Sequence, residues 1–192
     1  MARVAQRSGI SAAEYLAWER DQPSRHEYFR GQVFAMAGGS PRHNALCSAT
    51  NAALHGAYRD HGCIVFSSDQ RVGVGGGERY VYADVTVVCG GVELEPGTTD
   101  VISNPTVLVE VLSSSTEQYD RGLKWEGYQR IGSVTDYVLV AQSEPRIEHF
   151  RRESGGTWVY RSAGPGDRVR LTSGAELCVD DIFHGVVELV GD

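Results

Sequence analysis

Asp84, Glu110 and Lys124 are the residues of this chain whose types and spacing could do chemistry. Asp84 interrupts the apolar, β-branched run of residues 82–88, and Glu110 interrupts the run of residues 107–112. An acid inside such a run is carried into a partly buried place, where its charge is costly unless a cation or a hydrogen-bond network balances it. The chain does this on two consecutive predicted strands, and Lys124 follows on the next predicted helix. Two converging carboxylates with a nearby ammonium are what metal-assisted phosphodiester hydrolysis requires. The acids give oxygen ligands to a hard cation, and the ammonium serves the attacking hydroxide or the charge developing on phosphorus. The plainer reading makes them structural acids paired near a sheet edge and a solvated helix lysine.

The elements that must position them can be read from local pattern. Ser11 with Glu14 is a capping box that opens a short helix over residues 11–21, and residues 27–36 form a hairpin turning at Arg30-Gly31. Ser40-Pro41 supplies an N-cap and a first-turn proline for a helix ending near Asp60. Short strands follow over residues 63–67 and 70–74, then a turn at Gly75-Gly76-Gly77, then the Asp84 strand. Beyond a loop over residues 90–104 come the Glu110 strand and a helix over residues 117–131, with Ser114 and Glu117 as its capping box. Strands over residues 136–142, 146–152 and 157–161, and a tail of short strands with a turn of helix from Arg168, complete the chain. Alternation puts Tyr82, Asp84 and Thr86 on one strand face, and Glu110 on the face of Leu108 and Leu112. Lys124 shares a helical stripe with Asp120, Gly127, Tyr128 and Ile131, which turns it toward the sheet.

Length and composition narrow the classes. A chain of 192 residues with 41% hydrophobic and 22% charged residues suits a single globular domain over residues 1–192. No internal repeat, linker or low-complexity tract divides it. Cys47, Cys63, Cys89 and Cys178 lack any C-x-x-C spacing, so all four are expected as core thiols in a reducing compartment. The two early arginines are followed by no apolar segment and no run reaches a membrane span, so a cytoplasmic location is expected. The net charge of −7 opposes nucleic-acid binding by phosphate neutralisation, unless part of it lies in a metal site. Gly75-Gly76-Gly77 leads into a strand, not a helix, which excludes a phosphate loop. The serine run 113–115 lacks a Gly-x-Ser-x-Gly elbow.

Several spaced blocks together carry a family resemblance. They are residues 82–89 around Asp84, Asn104-Pro105, residues 110–117 after Glu110, residues 119–124 ending at Lys124, and Tyr128. Upstream lie residues 25–31, 36–40, His43-Asn44 and 67–69, and downstream residues 136–140. With these blocks the chain resembles a bacterial family of restriction-endonuclease-like proteins in the PD-(D/E)XK nuclease superfamily, over a core of about residues 11–183. The resemblance implies an α/β (α+β) fold. Its restriction-endonuclease-like core would be a central mixed β-sheet flanked by helices, with an N-terminal hairpin and C-terminal strands added. It also implies Mg²⁺ or Mn²⁺ held by Asp84, Glu110 and the carbonyl of Val111, with Lys124 beside them and DNA as substrate. A homodimer is expected at the level of the family.

Two positions depart from the superfamily pattern. Ala83 stands where proline usually precedes the aspartate, a change in local backbone with little chemical consequence. Leu112 stands where the superfamily's lysine follows the glutamate, so Lys124 is the migrated candidate. Glu27 falls where the family also has an acid, as an extra ligand, a water-orienting group or a plain hairpin residue. Asp69 reads as a turn or ion-pair residue, His43 as a packed or capped residue with phosphate contact as the alternative, and Trp125 and Tyr128 as packing. The leading reading is a metal-dependent endodeoxyribonuclease. The competing one is a catalytically silent nucleic-acid-binding or interaction module on the same fold.

Overall fold

The computed structural model describes residues 5–36 and 38–186. The first elements are β1 (Arg7–Ser8), α1 (Ala12–Glu19), β2 (His26–Phe29), β3 (Gln32–Ala35) and α2 (Pro41–Tyr58). Then come β4 (Cys63–Ser67), β5 (Arg71–Val74), β6 (Arg79–Tyr82), β7 (Val85–Cys89), β8 (Val101–Ile102) and β9 (Val107–Val111). After β9 the chain forms α3 (Glu117–Tyr119), a π-helical turn (Asp120–Lys124) and α4 (Trp125–Gln129). It closes with β10 (Asp136–Val140), β11 (Ile147–Arg152), β12 (Trp158–Ala163), β13 (Arg168–Arg170), β14 (Glu176–Cys178) and α5 (Val179–Phe183). The expected tail runs on into residues 187–192, which lie outside the described residues.

Local chemistry accounts for the well-read elements. Ser11 and Glu14 close their capping box reciprocally, the Ser11 amide donating to Glu14 Oε2 at 2.7 Å and the Glu14 amide to Ser11 Oγ at 3.2 Å. Ser40 Oγ accepts from the His43 amide at 3.2 Å, with Pro41 at the first helical position, so α2 starts where its sequence says. The β2–β3 hairpin turns on Arg30 and Gly31, both left-handed, the geometry that matches strand twist.

Two six-stranded sheets form the body, ordered β1-β3-β2-β6-β5-β8 and β12-β11-β10-β9-β7-β4, beside the β13-β14 pair. The second sheet is mixed, because β9 and β10 run parallel among antiparallel neighbours. One of its faces packs on α2, α5 and β14 through Leu46, Leu54, Val109, Val138 and Leu177. The other meets β5, β6 and α4 through Val72, Val81, Leu108, Tyr128 and Leu139. No described helix is long and apolar enough to cross a membrane.

Four local expectations change. Residues 82–88 are not one strand, since β6 ends at Tyr82 in the first sheet and β7 starts at Val85 in the second. Period-two alternation runs through the bend unbroken, so the sequence hides it. The helix expected over residues 117–131 is two short α-helical pieces joined by the π-helical turn and ends at Gln129. Its Ser114–Glu117 capping box does not form. Thr116 is the N-cap, without a side-chain cap bond, and its amide donates to Ser113 Oγ at 3.3 Å.

The fourth change concerns the cysteines. Cys63 and Cys89 are directly opposed across β4 and β7 with Cα atoms 4.1 Å apart, and they form a disulfide. A pairing across 26 residues of sequence depends on sheet register, which the sequence does not display. Cys47 and Cys178 keep free thiols and are half-buried. The bond staples β4, an edge strand. Closing a loop of this size is worth about 3 kcal/mol in the chain-entropy picture. Reduction, or Cys89→Ser, is therefore expected to lower the melting temperature by several degrees; an unchanged temperature would show that the bond adds nothing.

Candidate active site

Asp84 sits at the crossing between the two sheets. The β7–β9 register pairs Val85 with Val109, so Asp84 lies one step before that pair and Glu110 one step after it, opposite each other. Asp84 Oδ2 accepts from the Val111 amide at 2.7 Å, which fixes the carboxylate on the end of β9. Burial raises its pKa, but His43, Lys124 and the Val111 amide together hold it below the ordinary value.

Lys124 is buried at 5% exposure and points into the cleft, as the stripe predicted. Its Nζ donates to Glu110 Oε1 at 2.9 Å and to the Tyr82 carbonyl at 3.0 Å, with Glu27 Oε1 at 3.4 Å and Asp120 Oδ1 at 3.6 Å. Tyr128 adds a second donor to Glu110 Oε1 at 2.8 Å. Burial alone would strip the lysine of its proton, yet Glu110, Glu27 and Asp120 outweigh it and hold its pKa well above ordinary. With more acids than bases in the cluster, Glu110 and Asp120 are pushed up, by burial first and by neighbouring carboxylates after it. The lysine is thus a fixed positive charge, not a base.

The π-helical turn is what aims it. Its carbonyls find partners outside the helix: Arg79 Nη1 donates to Leu123 O, and the Tyr137 hydroxyl donates to Asp120 O at 3.0 Å. Gly127 lets α4 lie against Arg79, whose Nη1 would stand 3.2 Å from any added Cβ. From the same turn Arg121 clamps Glu148 on β11 through two hydrogen bonds of 2.7 Å. That clamp lowers the Glu148 pKa, with burial opposing it. A depressed folded pKa means that the stabilisation is complete above the ordinary value of 4.5 and is lost as pH falls through the folded value. Glu148→Gln is accordingly expected to cost about 1–2 kcal/mol at neutral pH, discounted for the exposed side of Arg121. The gap to wild type should close below the ordinary glutamate range in denaturation curves; a gap that persists there would refute the clamp.

His43, on the first turn of α2, reaches the same place. Its Nε2 lies 3.1 Å from the Val111 carbonyl oxygen and 3.5 Å from Asp84 Oδ2, and its Nδ1 lies 3.5 Å from Cys47 Sγ. Among the described residues, His43, Cys47 and Asp84 are the cluster whose ligand atoms come within 4.8 Å of one another. Glu110 stands next to it with Oε1 turned to Lys124 and Tyr128, and Oε2 accepts no hydrogen bond among the described residues. All these groups except Cys47, Val111 and Tyr128 line one cleft of about 390 Å³, together with Ser113, Ser114 and Gln142. The donors are carboxylate, carbonyl and imidazole, a set that fits a divalent cation.

A family model described as "Putative restriction endonuclease", Uma2, matches residues 12–180. The chain belongs to the Uma2 family. An uncharacterized protein of Synechocystis sp. is similar to this Uma2 chain, 36% identical over 179 residues that span 92% of the chain and 93% of the relative. A second uncharacterized protein of that organism is 30% identical over 150 residues, spanning 78% and 85%. A crystal structure from Anabaena variabilis, described as a "putative nuclease belonging to DUF820", superposes with a TM-score of 0.74 at 16% identity, covering 93% of the Uma2 chain and 99% of that one. The fold is therefore restriction-endonuclease-like.

Of the residues picked out from sequence, Asp84, Glu110, Lys124, Glu27 and the Val111 carbonyl come together in this Uma2 chain. Leu112, at the superfamily's lysine position, is 4% exposed and belongs to the same apolar cluster as Val72, Leu139 and Tyr128. Asp69 is an exposed ion-pair residue with Arg25, as its sequence reading had it. Sequence reasoning undervalued three residues. His43 looked like a capped helix residue, Tyr128 like packing alone, and Asp120 like one member of a stripe. The i, i+4 spacings of His43 with Cys47, and of Asp120 with Lys124, were the available signals.

Proposed function

We propose that this chain is a metal-dependent nuclease that hydrolyses phosphodiester bonds of DNA. The observation that carries the reading is the convergence of Asp84 and Glu110 on one cleft beside a buried, positively charged lysine, with the Val111 carbonyl 3.1 Å from the His43 ring that also lines it. Asp84, Glu110 and the Val111 carbonyl would hold Mg²⁺ or Mn²⁺. When bound, the ion neutralises the phosphate and lowers the pKa of a water molecule for attack. The cleft carries four carboxylates, Glu27, Asp84, Glu110 and Asp120, around one lysine, so a phosphate diester needs that added positive charge to enter.

Lys124 offers its ammonium to the attacking oxygen or to the charge that develops on phosphorus. Glu27 and Asp120 hold the lysine in place, and Glu27 acts as a positioning residue. Tyr128 keeps Glu110 Oε1 on the lysine side. Cutting both strands of a duplex would take two copies of the cleft, so a homodimer is the assembly this reading expects. The apolar Leu112 favours the second reading, a silent binding module on the same fold.

Supercoiled plasmid and single-stranded DNA incubated with the protein and Mg²⁺ or Mn²⁺ separate the two. Nicking that depends on metal supports the nuclease. Retention of DNA without nicking, and without any rise of melting temperature with Mn²⁺, supports the binding module.

A further inference from the structure

We propose that His43 supplies a nitrogen ligand to the cation in this cleft, with Cys47 positioning its ring, so that the site prefers a first-row transition ion such as Mn²⁺ over Mg²⁺. The inference rests on the metal-dependent reading and adds to it a ligand and a metal preference.

Two oxygens from two elements lie close to one ring nitrogen: Oδ2 of Asp84 from the sheet crossing and the carbonyl oxygen of Val111 from β9, beside Nε2 of His43 from α2. Nε2 stands 3.1 Å from the carbonyl oxygen and 3.5 Å from Oδ2. Adjacent ligands on an octahedral ion with bonds of about 2.1 Å lie about 3 Å apart. The spacing is that of neighbouring ligands around a shared centre. A single Nε2–H serves the carbonyl at 3.1 Å and leaves the carboxylate oxygen, at 3.5 Å, too far for a good hydrogen bond. A cation satisfies both oxygens and the nitrogen at once.

The ring is also held as a ligand needs to be. His43 and Asp84 side chains are only 16% and 17% exposed, and the start of α2 is fixed by the Ser40 cap. Behind the ring, Cys47 Sγ lies 3.5 Å from Nδ1, one helical turn along. Once a cation takes the Nε2 lone pair, the ring proton stays on Nδ1 and can be donated to this sulfur, the arrangement that orients metal-binding histidines. A site of two oxygens and an imidazole is more favourable to transition ions than to Mg²⁺, which takes oxygen ligands almost exclusively.

Mn²⁺ and Mg²⁺ affinities of the full chain, measured by calorimetry without DNA, test this together with pulsed electron paramagnetic resonance of the bound Mn²⁺. Wild type is expected to bind Mn²⁺ at least about tenfold more tightly than Mg²⁺ and to show nitrogen coupling to the Mn²⁺ spin. His43→Ala should lose the coupling and weaken Mn²⁺ by about tenfold or more, with Mg²⁺ little changed; Cys47→Ala should keep the coupling and weaken Mn²⁺ less. Mn²⁺ binding that needs Asp84 but shows no nitrogen coupling in wild type overturns the histidine assignment and leaves the metal-dependent reading standing. Failure of wild type to bind either ion overturns both.

Discussion

Asp84→Asn and Glu110→Gln are each expected to lower metal-dependent cleavage of plasmid DNA by about a hundredfold or more while the protein stays folded. Each change keeps the shape of the side chain and removes one negative charge from the cation's surroundings. In Asp84→Asn the side-chain amide oxygen can still accept from the Val111 amide, the 2.7 Å bond that ties the sheet crossing to β9. In Glu110→Gln the corresponding oxygen can still accept from Lys124 and Tyr128. In the second variant stability can even rise, because Glu110 is a carboxyl group whose ionisation burial already resists. The readout is the rate of nicking with Mg²⁺ and Mn²⁺ beside a denaturation curve for each variant. Wild-type rates in either variant would remove that residue from the site, whatever its geometry.

Lys124→Met should have the largest effect on stability. The ammonium touches Glu110, Glu27, Asp120 and the Tyr82 carbonyl, and removing it leaves those acids facing one another at no more than a few per cent exposure. Breaking a buried ion cluster from one side typically costs about 3–5 kcal/mol. For a domain of this size that is a drop of about 10 °C in melting temperature. The lysine's pKa is raised on folding, so its contribution is complete at neutral pH and is lost only above the folded value. On acidification the surviving carboxyls take up protons and the gap to wild type narrows. Equilibrium denaturation at neutral and mildly acidic pH checks both the size and the trend; a loss that is small, or that grows toward acid, would contradict the cluster.

How much of this was legible depended on whether a residue's role was local. Turns and caps are local, and Arg30-Gly31, Ser11 with Glu14, and Ser40-Pro41 could be read directly. The stripe that turned Lys124 inward was legible for the same reason, since helical neighbours are near in sequence. Pairings across the sheet were not legible. Cys63 and Cys89 meet only because β4 lies on β7, and His43 reaches Asp84 only because α2 packs over the β7–β9 end. The bend at Asp84 was hidden for a subtler reason: a chain passing from one sheet to another can keep its alternation, and Ala83, with no exposure at all, packs as a strand residue would. Family resemblance supplied the expected roles of Asp84, Glu110 and Lys124, which their spacing left open between ligand and ion pair.

The π-helical turn bears on what changes in length this protein can accept. Such a turn amounts to one residue inserted into an α-helix. Lys124 ends it and Tyr128 lies just beyond it, and both donate to the same oxygen of Glu110. Removing a single residue between Asp120 and Lys124 would rotate everything on one side by about 100° relative to the other. Arg121 could then keep its clamp on β11, or Tyr128 its place in the core, but not both with Lys124 still in the cleft. The segment therefore behaves as a phase adjuster that brings a helix-borne lysine onto a strand-borne glutamate, and natural insertions and deletions should avoid it.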